Sequence, residues 1–453
     1  MAFIRKIKTK NGTYLAEVES FRENGKVKQK FIRYIGKEVK GKHIRRVSTD
    51  EIHAKSVKSS LDVLSIKKLA DDLDITDIEQ KEVLSLVFAQ LIDRKSISQL
   101  EDWFKKTEIP NILDIDITTK KLYNSLRKLN DISFEDIEEK IYQNFLKYEK
   151  EKKAAVIDVT DTYFEGKGNN DKKRRGKDNK VRHLVQIGLA VSLDNGFPIF
   201  HNTYPGNLND MQIMRDMVSR LEEMGNKAIL VDRGMLSTQG LNALFALSCQ
   251  VIAGIKKTKT IKEKYISQIN REEIYSLKNR VKLVNTSVFI KSFKTAKGEI
   301  IIVYNPDLEV IKKNINFEKG IDNKESFIGY SVIFHNTNLS PKYVVKKYFE
   351  KDVVERAFKQ LKGVLNIRPI RVWLKEHVNG HIRVCYLAYA ILALLQYRVK
   401  KLNISGTRAL DLLKDGYKIE LYDKKSKFSW DLTVDLQPKQ KKILDAIGVV
   451  YKN

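Results

Sequence analysis

The 453-residue chain carries 84 Lys+Arg against 57 Asp+Glu, a net charge of +27, with 42% apolar and 31% charged residues. That length and apolar content allow two or three domains with real cores, and so large a positive excess attracts polyanions, chiefly nucleic acid or an anionic membrane. The N-terminal MAFIRKIKTK has charges where a signal peptide needs an apolar core, the longest apolar run, Val384 to Leu395, is too short to span a bilayer, and Cys249 and Cys385 alone build no disulfide framework or Cys-based zinc site, which points to a reducing, cytoplasmic setting without a membrane.

Residues 1–45 alternate apolar and polar side chains, with Asn11-Gly12 and Asn24-Gly25 as hairpin turn signals, and predict a three-stranded β meander. Residues 46–150 read as helical, with apolar residues recurring at three and four over 79–107 and 134–152. Within them LIDRKSISQLEDWF fits either a helix-turn-helix or an ordinary helical hairpin. From Ala154 the pattern changes to a strand, AAVIDVTDTYF, in which Asp158 follows three apolar residues. A basic loop over 167–182 holds eight Lys/Arg and two Asp. Next come the strands HLVQIGLAVS and FPIFHNTY around an Asp194-Asn195-Gly196 turn, a helix over 210–224, and the strand KAILVDRG ending on Asp232. A helix around 241–247 leads to the strand QVIAGIK. The first three strands can pair antiparallel and the later ones parallel through right-handed crossovers, which is the order of a ribonuclease H-like domain. Residues 257–335 alternate short β-like runs with Lys-rich turns and read as an inserted β-rich region. Helices resume at Pro341 and run to about residue 400, before a short mixed tail.

The stretch YFEKDVVERAFKQLKG, from Tyr348 to Gly363, is predicted to be one helix. At about 100° per residue it brings Tyr348, Lys351, Glu355 and Lys362 to one edge, and Val353, Val354, Ala357, Phe358, Leu361 and Leu365 to the other. The polar edge is either a solvated face of ion pairs or an aligned phenol, carboxylate and two ammoniums. Asp158, inside an apolar strand, is either a paired core acid or a metal ligand. Asp232 ends a strand before Arg233-Gly234; it either caps the turn or sits where α/β sheets bind ligands. Three acids on two strands and a later helix, in so basic a chain, form a hard-oxygen donor set suited to divalent metals and phosphodiester chemistry.

Other polar residues carry less. Asp161 falls on the opposite strand face from Asp158, and Asp210 opens a helix as an N-cap. His377 and His381 are four apart on a helix but find no third ligand. Arg233 contacts either DNA or a surface acid. The 167–182 loop is either a solvated hairpin or a DNA contact, its place beside the Asp158 strand favouring DNA.

The spacing Tyr348-x2-Lys351-x3-Glu355-x6-Lys362 resembles the Y-x2-R-x3-E-x6-K signature of bacterial insertion-sequence DDE transposases, with Lys351 in place of the usual Arg. VIDVTDTYFEG resembles their first-aspartate block, YPGNLNDMQIM their G-N-x-x-D block and ILVDRGMLS their second-aspartate block. The N-terminal strands and the IRPIRVW…HVNGHIRV segment are also similar to one branch of that group, and the resemblance covers about residues 1–400. It implies a multidomain α/β protein in five segments. These are a β meander (1–45), a helical DNA-binding region (46–150), a ribonuclease H-like core (151–256), a β-rich insertion (257–335), and the rest of the core with the glutamate helix and C-terminal helices (336–453). It further implies that Asp158, Asp232 and Glu355 hold two Mg²⁺ ions, replaceable by Mn²⁺, and that Tyr348, Lys351 and Lys362 contact DNA. The implied activity is cleavage at terminal inverted repeats of double-stranded DNA and transfer of the 3′ ends to target DNA. The protein is expected to act as a homodimer at the bacterial nucleoid. A nuclease without strand transfer and a non-catalytic DNA-binding protein are the competing readings.

Overall fold

The computed structural model describes residues 2–9, 12–23, 25–39, 42–45, 52–149, 154–163, 174–176, 179–224, 228–231, 250–320, 327–368, 370–372, 374–424 and 428–451. The chain forms two compact units, one of residues 1–58 with 417–435, the other of 59–416 with 436–453.

In the first unit β1 (Ala2–Thr9), β2 (Gly12–Glu23), β3 (Lys26–Val39) and β4 (Lys42–Arg45) pair in chain order, each antiparallel to the next. The chain turns from β2 to β3 at Gly25, whose φ of +74° costs glycine little. The sheet has four strands where the sequence predicted three, because KHIR is too short to show a period. A second difference is β5 (Ile52–Ser59), which lies in a stretch read as helical. It joins a three-stranded sheet with Tyr417–Asp423 and Phe428–Thr433 from the C-terminal tail. Lys55 Nζ lies 2.8 Å from Glu420 across that sheet. Partners so distant in sequence leave no local signal.

The second unit is built on a nine-stranded sheet. Its first strand, β6 (Ala154–Tyr163), is followed by a small antiparallel hairpin of β7 (Arg174–Arg175) and β8 (Val181–Arg182). β9 (Leu184–Ser192) pairs antiparallel with both β6 and β10 (Pro198–Pro205). On its other edge β6 pairs parallel with β11 (Ala228–Val231), and β11 pairs parallel with β12 (Gln250–Ile255). Residues 232–249, including Asp232, Arg233 and the helix predicted at 241–247, lie outside the described residues.

Four further strands, β13 (Arg280–Lys282), β14 (Ser287–Thr295), β15 (Gly298–Tyr304) and β16 (Tyr330–His335), continue the same sheet in the order β12-β16-β15-β14-β13, all antiparallel. The β-rich insertion therefore extends the sheet instead of packing apart from it. Its strands serve two cores because side chains alternate across the pleat. Ile301, Val303 and Ile333 join the main core, while Ile300, Ile302, Tyr304, Val332 and Phe334 build a smaller one with Ile266 and Ile274.

One continuous core unites the sheet with the helices of 61–145. The Lys375–Val399 helix runs through it, with the apolar run Val384–Leu395 buried along its length. It is long and apolar enough to cross a membrane, yet 83% of its apolar window is buried inside the protein, as in a core helix. Buried Glu138, on the Phe134–Phe145 helix, accepts from Arg220 and lies 2.6 Å from His201 Nδ1, which ties the helical region to β10.

Candidate active site

β6 begins as a core strand, with Ala155, Val156, Ile157 and Val159 all at most 1% exposed. Alternation sends Val159 and its β9 partner Gly188 toward the Asp210–Glu223 helix, where Met217 closes on Gly188. Asp158 and Thr160 take the other face, and Asp161 falls opposite Asp158, as its odd spacing predicted. The half-buried Asp158 carboxylate accepts a hydrogen bond from Val159 N at 2.8 Å, which offsets part of its desolvation.

The stretch from Tyr348 to Gly363 is not one helix. Pro341–Phe349 forms a first helix, Glu350 and Lys351 interrupt it, Asp352–Lys359 forms a second, and Gln360–Val364 makes a wide π turn closed by Leu365 N donating to Gln360 O at 2.8 Å. The predicted apolar edge holds: Val353, Val354, Ala357, Phe358, Leu361 and Leu365 are all buried. The predicted polar edge divides at the interruption. Tyr348 is 7% exposed and belongs to the core, with the Lys351 ammonium 4.9 Å from its ring centre. Glu355 is exposed and half-buried Lys362 donates to Thr160 Oγ1, both on the far side of the break.

Asp158, Thr160, Glu355 and Lys362 meet in one open cleft of about 510 Å³, together with Lys359 and Arg368. The wall carrying Arg368 is fastened to β6. Thr162 Oγ1 donates to Ile367 O at 3.2 Å, and Ile370 N donates to Tyr163 O at 2.8 Å. Two carboxylates thus face three cations. Such a cleft can hold a divalent cation on its oxygens and a phosphate on its ammonium and guanidinium groups. Among the described residues no group of three His, Cys, Asp or Glu forms a complete metal site.

Tyr348 and Lys351 lie outside the cleft lining. Asp210 begins the Asp210–Glu223 helix, and its side chain lies outside the description. His377 packs on Tyr123 with ring centres 5.5 Å apart, and His381 borders a neighbouring cavity. Of the basic loop, β7 and β8 form a hairpin in which Arg182 stacks 3.8 Å from the Tyr163 ring centre. Three residues at the cleft were missed by sequence reasoning. Thr160 was legible as the next same-face position after Asp158, and Lys359 one turn after Glu355; Arg368 lies in the IRPIRVW segment, but nothing local tied it to the acids.

Residues 149–391, more than half of the chain, match the family described as "Transposase DDE domain". Residues 4–54 match "IS1634 family transposase, N-terminal domain". No curated protein matches the chain. Among solved structures it is similar to piggyBac transposase in a synaptic complex with hairpin DNA, at 10% identity over 78% of this chain and 76% of that one, with a TM-score of 0.42.

Proposed function

The chain belongs to the transposase DDE domain family and is an insertion-sequence DNA transposase, an enzyme of DNA cleavage and strand transfer; on that premise we propose that it works by cut-and-paste, with Asp158, Asp232 and Glu355 as its acids. The observation that carries this reading is the meeting of Asp158 and Glu355, from β6 and from the Asp352–Lys359 helix, in one cationic cleft. Val231, the last described residue of β11, pairs with Ile157. Asp232 follows the one in sequence as Asp158 follows the other. The strand order β10-β9-β6-β11-β12, antiparallel and then parallel, supports a ribonuclease H-like core.

Family membership implies dependence on a divalent metal, and the hard oxygen donors of the cleft suit one. We assign two Mg²⁺ ions to Asp158, Asp232 and Glu355, with Mn²⁺ able to substitute. The chemistry such ions supply when bound is activation of the attacking oxygen and neutralisation of charge on the leaving one. The protein's own groups position the phosphate. Lys362, held by Thr160, presents its ammonium to the non-bridging oxygens, and Lys359 and Arg368 flank it. Lys351, seated on the Tyr348 ring, holds a phosphate further along the strand, so Tyr348 serves DNA through that contact. In the first step a water oxygen attacks the scissile phosphorus. The P–O3′ bond breaks, and the water's proton ends on the departing oxygen, leaving a 3′-hydroxyl and a 5′-phosphate. In the second step that 3′-hydroxyl attacks a target phosphodiester, forming a new P–O3′ bond and releasing a target 3′-hydroxyl.

The substrates on this reading are the element's terminal inverted repeats and double-stranded target DNA, held by a homodimer at the nucleoid in the bacterial cytoplasm. Asp158→Asn, Asp232→Asn and Glu355→Gln should each abolish metal-dependent cleavage of a duplex carrying the inverted repeat that flanks the gene, with binding near wild type. EDTA should do the same, and Mg²⁺ or Mn²⁺ should restore activity. Full-rate cutting by any of these variants overturns the triad, and cleavage without plasmid strand-transfer products reduces the enzyme to a nuclease.

A further inference from the structure

Beside the acid cleft lies a more enclosed cavity of about 340 Å³. Its walls are the turn between the Lys81–Ile92 and Ile97–Phe104 helices, residues Asn366, Arg368, Arg371 and Val372, and the faces of the Thr119–Lys128 and Lys375–Val399 helices that carry Tyr123 and His381. Arg94, Lys95, Arg368 and Arg371 all line it, and no carboxylate does among the described residues. The acid cleft, by contrast, is lined by both signs of charge, and Arg368 lines both spaces. Arg94 holds a left-handed backbone, φ +48°, and its buried Nε has no hydrogen-bond partner. Lys95 pairs with Asp93 at 2.8 Å, and every charged side chain that lines the cavity is cationic. The first turn of the Ile97–Phe104 helix, with Ser96 and Ser98, also borders the cavity and adds its positive end. The first two of these walls are fixed to each other, since Gln90 Nε2 donates to Leu365 O.

A buried guanidinium nitrogen without a hydrogen-bond partner costs the fold free energy that an anion in the cavity would recover. The cavity opens beside a cleft already read as the site of a scissile phosphate. We propose that it is a second phosphate-binding subsite, which takes another phosphate of the same DNA and fixes the path of the strand past the acids. This rests on the cleavage reading above. It also gives the segment LIDRKSISQLEDWF a role: its turn, through Arg94, Lys95 and Ser96, holds backbone phosphate next to the catalytic cleft.

The test measures binding of the inverted-repeat duplex by fluorescence anisotropy, in EDTA to prevent cleavage, from 50 to 200 mM salt. Arg94→Gln and Lys95→Gln should each reduce the slope of log K against log salt by about 1, and weaken binding at 0.15 M salt by about 3- to 10-fold. Arg94→Lys, which keeps the charge, should restore the slope. Duplexes with 5′-hydroxyl and 5′-phosphate ends identify the source: an equal loss on both assigns an internal phosphate, and a loss confined to the phosphorylated duplex assigns a terminal one. Unchanged slopes in both Gln variants, with thermal unfolding like the wild type, overturn the subsite. Should Arg94→Gln fail to fold, the Lys95→Gln result decides, since that side chain is 38% exposed. Cleavage surviving in Asp158→Asn overturns the parent reading instead, whatever the slopes.

Discussion

At the residue scale the cleft works by pairing groups that would each be costly alone. Thr160 is 4% exposed and its hydroxyl fixes the Lys362 ammonium beside the acids. Removing a preorganised donor of this kind costs about 100-fold or more in rate. Lys362→Met is expected to lower the cleavage rate by about 100-fold, and Thr160→Val by about 10-fold. Because Thr160 acts through Lys362, its effect should vanish in the Lys362→Met background, and additive losses in that double-mutant cycle would disprove the coupling. Asp62 shows the opposite arrangement. Burial, opposed by a hydrogen bond from Val63 N, raises its carboxyl from 3.8 to about 6, and its Oδ2 has no partner. A raised carboxyl means the folded chain holds its proton more tightly than the unfolded one, so stability falls as pH rises from about 4 to about 6 and stays lower above. Asp62→Asn should therefore stabilise the protein at pH 8 by up to about 3 kcal/mol and change little at pH 4, read from urea unfolding midpoints. An equal gain at both pH values would rule out the ionised carboxylate as the cause.

At the element scale, the interruption at Glu350–Lys351 and the π turn at Gln360–Val364 set which charges reach the cleft. Periodicity assumes a constant turn, so it found the buried edge, which core packing enforces, but misjudged the polar edge, where Tyr348 turned inward. Glycines mark where elements close on each other. A Cβ on Gly380, in the Lys375–Val399 helix, would strike the Leu126 backbone carbonyl, whereas one on Gly363 would meet nothing within 4 Å. Gly380→Ala should destabilise by about 1–3 kcal/mol through overpacking, whereas Gly363→Ala should be neutral or stabilise by up to about 1 kcal/mol, since alanine is the better helix former. A Gly380→Ala variant with the wild-type denaturation midpoint would show that the Lys375–Val399 helix and the Thr119–Lys128 helix, which carries Leu126, can part without cost.

At the scale of the molecule, the β-rich insertion is a structural member of the sheet. It supplies β16 as the antiparallel partner of β12 and sends Ile301, Val303 and Ile333 into the main core. Replacing 257–335 with a short flexible linker should bare the β12 edge and leave that core unfilled, giving a chain that aggregates and binds hydrophobic dye. A soluble product with the wild-type unfolding temperature would show the insertion to be dispensable to the core. The net charge of +27 belongs to this scale too, because it draws the whole protein to DNA. On the proposed reading, the two cation-lined cavities orient what that field attracts.

The sequence by itself determined the basic partner class, most strand and helix positions, and the candidacy of Asp158 and Glu355, because period, turn residues and an acid within an apolar strand are local properties. It left open whether Glu355 lines the same cleft as Asp158. Only tertiary structure decided that, through the pleat of β6, the break before Asp352 and the strap that carries Arg368. Tertiary structure also decided that β5 is a strand, that the insertion extends the central sheet, and that Arg94 to Ser96 line the same cavity as Arg371. Each of these depends on partners far apart in the chain, and periodicity within a window cannot register a contact whose other half lies hundreds of residues away.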